Sequence, residues 1–310
     1  MTATVPPALP LRHLLLGLAV VAIWGSNFVV IKQALTSLPP LTLAVLRFAL
    51  AFVPAALFLK RPAVPWSVLA GYGMLIGSGQ FALLYTAMDG HITPGLASLV
   101  VQTQVFFTIG FAMLALGERP RPFQWLALAL AGSGIAFIGF MAWRLGEAEL
   151  TPLGVLMVLG AALSWAAGNH TARAAGRVDM LAFVVWSSAF ALPPLLLLSL
   201  WLEGPARIAE GLAAADATTW AAVVWQAVGN TLFGYAVWGW LLARHPAASV
   251  APLALGVPVF GMSSAALWWG EPLPTWKLAA AGLVIAGLTL NLLWPRWQAR
   301  VARASARPME

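Results

Sequence analysis

Amides stand where the chain is otherwise apolar: Asn27, Gln80, Gln102, Gln104, Asn169 and Asn230. A primary amide carries a carbonyl acceptor and two N–H donors. Inside hydrocarbon it needs a partner helix or a cavity, because an unpaired polar group there is costly. The same stretches hold Trp24, Tyr85, Trp165, Tyr235 and Trp238, away from the span ends where Trp and Tyr usually anchor. Amides with aromatic faces suit recognition of a flat or bulky apolar molecule. Packing between helices suits each residue alone equally well, and pocket lining is favoured chiefly for Trp165 and Tyr85.

Charge is sparse in these stretches. Arg47 is the one full charge well inside a span. It could grip a carboxylate, but seven residues past Pro40 is about 10 Å of helix. A structural role, snorkelling or tying helix ends together, is therefore expected. His170 titrates near neutral pH and could relay protons; a capping or cavity-edge role beside Arg173 is preferred. Glu118 and Glu271 sit at predicted helix ends, where a carboxylate favours the N-terminus of the following helix. They are read as structural or gating residues outside the substrate site. Pro252 and Pro258 are expected to break the ninth helix.

No Asp or Glu lies in mid-span, so weak ion coupling or facilitated movement is expected. The chain has no cysteine and four scattered histidines. No catalytic set, metal site or cofactor is expected. A lipid-modifying membrane enzyme would need a cluster of such groups at one interface and is the less favoured class.

These residues need helices to hold them. Of 310 residues 61% are hydrophobic and 9% charged, with mean hydropathy +0.86, too little polar surface for a water-soluble globule. Ten apolar stretches are predicted to span a bilayer, each near the roughly 20 residues a crossing needs: 12–34, 40–59, 66–87, 94–116, 122–142, 152–172, 180–202, 217–243, 247–269 and 275–294. With the N-terminus inside, twelve Lys and Arg fall on the inner side. Only Arg144, Arg207 and Lys277 fall outside, with Lys32 near an outer helix end. That is the positive-inside bias, and it puts both termini in the cytoplasm. The net charge of +7 is thus a membrane signal and not one for nucleic acid.

The chain also reads as two copies. An offset of 153 places Gly117-Glu118 on Gly270-Glu271 and Gly134 on Gly287; near 150, Gln80 falls on Asn230 and Tyr85 on Tyr235. Pro54 matches Pro193, and Trp24 to Asn27 matches Trp165 to Asn169. Five helices per copy is an odd number, so the second copy, 146–310, would be inverted relative to the first, 1–145. Inverted repeats of this kind build transporters with a central cavity near the midplane. That geometry would bring Asn27 to Asn169 and Gln80 to Asn230.

Ile-Trp-Gly-Ser-Asn-Phe at 23–28, Leu-Arg-Phe at 46–48 and the twin Gly-Glu corners resemble the drug/metabolite transporter superfamily, of EamA type. The resemblance covers essentially the whole chain and looks closest to YddG-type aromatic amino-acid exporters. It implies an all-α bacterial inner-membrane protein exporting small metabolites, amino acids especially, by alternating access. A broad drug or metabolite exporter is the alternative. The implied partners are a small-molecule substrate and the bilayer, with the chain taken as a monomer.

Overall fold

The computed structural model describes residues 9–116, 122–146, 149–176, 178–245 and 247–305. Glu118 lies outside the described residues. The helices are α1 (Leu11–Leu35), α2 (Pro40–Ala56), α3 (Trp66–Met88), α4 (94–116), α5 (Pro122–Leu145) and α6 (Pro152–Ala175). They continue with α7 (180–203), α8 (Gly204–Ala214), α9 (217–244), α10 (247–269) and α11 (Thr275–Ser305). Among the described residues there is no β-strand, only an isolated bridge between Ile92 and Leu150.

Local chemistry sets the boundaries. Pro40, Pro94 and Pro152 open α2, α4 and α6 at the first turn, where their missing N–H costs nothing. Asp179 caps α7 by accepting from Leu181 N at 2.9 Å, and Asp216 caps α9 by accepting from Thr219 N at 2.8 Å. Gly204, at φ +76°, separates α7 from α8.

Among the described residues eight helices are long and apolar enough to cross a membrane, and α2 is a shorter apolar helix of 17 residues. The outward faces carry large apolar side chains, including Leu57, Phe58, Trp201 and Leu267. Such a surface is stable against lipid and not against water. The protein is an all-helical, multi-pass membrane protein. Of five tryptophans that the sequence places at span ends as interfacial anchors, Trp66, Trp143, Trp201 and Trp297 are exposed, while Trp294 is half-buried.

Four helices change pitch midway. A wider, π-helical stretch runs over Gly73–Gln80 in α3 and over Trp225–Phe233 in α9. Tighter 3₁₀ turns cover Val101–Thr103 in α4 and Ala251–Leu255 in α10. The expected break in the ninth span is this last segment, which contains Pro252; Pro258 lies buried in the regular helix after it. Such irregularities mark functional segments more often than packing defects.

Glycines allow the closest helix contacts. A Cβ at Gly73 would lie 2.0 Å from Ser187 O, and one at Gly77 2.3 Å from Ala191 Cβ, so α3 seats directly on α7. A Cβ at Gly134 would lie 2.9 Å from Ala280 O and 2.8 Å from Val284 Cγ2. At Gly287 it would lie 2.5 Å from Ala127 O and 2.8 Å from Ala131 N. In both directions the later residue of one helix meets earlier residues of the other, so α5 and α11 run antiparallel.

Candidate functional site

The bundle encloses a chamber of about 470 Å³. Its walls include Ala172 at the end of α6, Met180 at the start of α7, Leu242 near the end of α9 and Ala251 of α10. It therefore lies toward the end of the bundle where α1 begins. Deeper in, a recess of about 60 Å³ is lined by Asn27, Phe28, Gln80, Phe81 and Asn230, among others. Trp24, Gln102, Trp165, Tyr235 and Val257 wall both spaces. No Asp, Glu, Lys or Arg lines either space among the described residues.

The irregular segments build these walls. Trp24 donates through Nε1 to Asn230 O at 3.2 Å, tying α1 to the π-helical part of α9. Its ring packs on Tyr235 at 5.6 Å and on Trp238 at 5.1 Å between centroids. Gly234 makes room, since a Cβ there would stand 2.5 Å from the indole nitrogen. Gln102, in the 3₁₀ turn of α4, donates from Nε2 to Ala254 O in the 3₁₀ turn of α10 at 3.3 Å. Asn27 and Gln80 are buried at 4% exposure, and Asn27 Oδ1 and Gln80 Oε1 have no hydrogen-bond partner among the described residues.

Most of the residues singled out in the sequence meet here. Gln80 and Asn230 share the recess as expected; Trp24, Gln102, Trp165 and Tyr235 are common walls, and Trp238 lines the chamber. Asn169 differs from expectation. It lies in the chamber, not beside Asn27, and its Nδ2 faces Gln104 Oε1 at 3.5 Å. The offset for this pair is 142, against about 150–153 for the later helices, so matching letters do not give matching depth.

Tyr85 is a correction, since it lines neither space. It is fully buried, accepts from Arg47 Nη1 at 2.7 Å and donates to Gln226 Oε1. Arg47 takes the tying role. It is 1% exposed and does not snorkel. Thr231 Oγ1 accepts from its Nη2 at 3.0 Å, and its guanidinium lies 3.8 Å from the Phe81 ring centroid. Hydrogen-bond partners on α3 and α9 satisfy it within the protein, so the side chain turns inward. Among the described residues no carboxylate pairs with it.

Glu271 does not cap its own next helix. It reaches to α4, accepting from Thr93 Oγ1 at 2.6 Å and Gly95 N at 3.0 Å, while Lys277 pairs with it at 2.9 Å. Glu203 caps α2 in the same manner, accepting from Leu41 N at 2.6 Å, Thr42 N at 3.0 Å and Ser199 Oγ at 2.7 Å. His170 packs near Phe111 and lines neither space. Sequence reasoning missed Glu203, Tyr72 in the chamber wall and the Thr231–Gln226 pair. Tyr72 had a signal: it is one of only three tyrosines in the chain, all within spans.

The described architecture has solved counterparts. One crystal structure superposes with a TM-score of 0.59 over 91% of this chain and 96% of that one, at 19% identity, which is a likeness of fold. Among curated proteins, a probable amino-acid metabolite efflux pump of Salmonella typhimurium LT2 is 42% identical, over 94% of this chain and 97% of its own. A probable amino-acid metabolite efflux pump of Escherichia coli K12 is 40% identical, over 92% and 96%. The model of the EamA-like transporter family matches residues 11–140 and again 152–293. With nearly all of its helices inside those two matches, this chain belongs to the EamA-like transporter family.

Proposed function

We propose that this protein exports amino acids and related small metabolites, bulky apolar ones included, across a bacterial inner membrane by alternating access. The observation that carries this reading is the cavity. It has no fixed charge among the described residues, offers amides and aromatic side chains, and is sized for a small molecule. The names of the relatives at 40–42% identity point the same way. The chamber's size favours a broad side-chain range, so wide metabolite export is the second reading.

In this reading the chain has ten spans in two inverted halves, 1–145 and 146–310, with both termini in the cytoplasm. The family model's two matches support the division. The antiparallel and reciprocal packing of Gly134 and Gly287 supports the inversion, because residues 153 apart exchange roles across it. The chamber then opens toward the cytoplasm. The Arg47–Tyr85 cluster and the Glu203 and Glu271 caps close the outer end, so the protein is inward-facing.

Uptake into proteoliposomes tests the assignment, with a panel of amino acids against the Trp165→Ala variant. Aromatic and branched amino acids should enter, and the variant should be slower. If the wild type moves none of them, the assignment is wrong.

A further inference from the structure

The recess and the chamber differ in kind. The recess is narrow and deep, with four amides among thirteen lining residues; the chamber is wide, with three among twenty-one. By the same measure one water needs about 10–15 Å³, so about 60 Å³ holds roughly four to six water-sized atoms. An ammonium, an α-carbon and a carboxylate together number five non-hydrogen atoms. Asn27 Oδ1 and Gln80 Oε1 are buried there without partners, a costly arrangement that a polar ligand would relieve. An amide presents an acceptor on one edge and donors on the other, which suits a group carrying both charges.

We infer that the recess holds the zwitterionic head of a free α-amino acid, while the side chain extends into the chamber. This rests on the amino-acid export proposed above. The head enters first and the side chain trails toward the open end. Its two charges are not equivalent in the recess. Phe81 walls the recess and stacks with Arg47, whose charge meets no carboxylate among the described residues. The ammonium accordingly donates to the two unpaired acceptors, Asn27 Oδ1 and Gln80 Oε1, and the carboxylate lies on the Phe81 side, toward the Arg47 charge. A head recess joined to a roomy apolar chamber demands an unblocked α-amino acid and tolerates many side chains.

Competition against labelled L-phenylalanine uptake in proteoliposomes tests this without any mutation. The competitors are L-phenylalanine, N-acetyl-L-phenylalanine and L-phenylalaninamide. Each blocked form should compete about tenfold or more weakly, the equivalent of one lost hydrogen bond to a charged group. Gln80→Leu should lower uptake of alanine, leucine and phenylalanine by a common factor. Ile109→Trp, in the chamber, should lower phenylalanine more than alanine. Blocked forms that compete as well as phenylalanine overturn the head recess and leave amino-acid export standing. So does a Gln80→Leu variant that reorders the side chains without a common loss. If no amino acid is taken up at all, both the recess and the export reading fall.

Discussion

Arg47 Nη1 donates to the Tyr85 hydroxyl across 2.7 Å, where no carboxylate among the described residues balances the charge. The same hydroxyl donates onward to Gln226, and Thr231 takes the other edge of the guanidinium. One side chain thereby ties α2 to α3 and α9 at the closed end of the cavity. Lysine has no planar fork to reach both partners. Arg47→Lys should lower stability by about 1.5–3 kcal/mol for each hydrogen bond lost. Thermal unfolding in detergent reads this directly, and a variant as stable as wild type would show that the cluster holds nothing together.

Tyr85 and Trp165 are both aromatics within spans, the first buried and the second half-buried, yet only Trp165 borders the cavity. Tyr85→Phe should cost stability, about 1.5–3 kcal/mol for the bond to the charged Arg47. It should leave the order of preferred substrates unchanged. Trp165→Ala should do the reverse, raising KM about tenfold, equivalent to about 1.4 kcal/mol. Unfolding curves and uptake kinetics on the same two preparations separate the roles.

Gly134 and Gly132 are two residues apart on α5 but face different surroundings. A Cβ at Gly132 meets nothing within 4 Å, whereas one at Gly134 runs into the backbone of α11. Gly134→Leu should destabilise by at least about 1–3 kcal/mol through overpacking. Gly132→Leu should stay within about 0.5 kcal/mol of wild type. Equal effects at the two positions would mean that α5 and α11 do not pack as described.

Asp216 lies between helices, where the backbone N–H of Thr219, and then its hydroxyl, hold the carboxyl below its ordinary value. A folded-state pKa below the unfolded one adds stability above the unfolded value, about 3.9 for aspartate. That increment is lost as pH falls through the folded value. The stability difference between wild type and Asp216→Ala should therefore be constant from neutral pH to about pH 5 and shrink below it. Unfolding temperatures for the two proteins across that range check the sign.

How much of this could be read from the letters depends on what the bilayer hides. Length and polarity located the helices, and Pro252 marked the 3₁₀ break in α10. The spacing of Gly134 and Gly287 foretold two residues that turn out to pack reciprocally. The facing of individual side chains was not legible. In water, polarity separates the inner face of a helix from the outer one. In lipid both faces are apolar, so Tyr85 and Tyr235 look alike in sequence and only Tyr235 reaches the cavity. Glu203 was invisible as a cap because its partners, Leu41 and Thr42, lie some 160 residues earlier. The partner of Arg47 was hidden for a related reason, since the hydroxyl that holds it from α9 belongs to an ordinary threonine.

Gly134 and Gly287 each receive the other helix in the same way, so the seam between α5 and α11 is self-complementary. A lone copy of either half, inserted in both orientations, would carry the means to dimerise through this glycine by an isologous contact. Fusing two such copies keeps the seam but binds its sides together. A bulkier residue on one side is tolerated only if the facing backbone retreats, so substitutions here should be coupled rather than additive. The loops of the two halves are free to diverge; at this crossing they must change together.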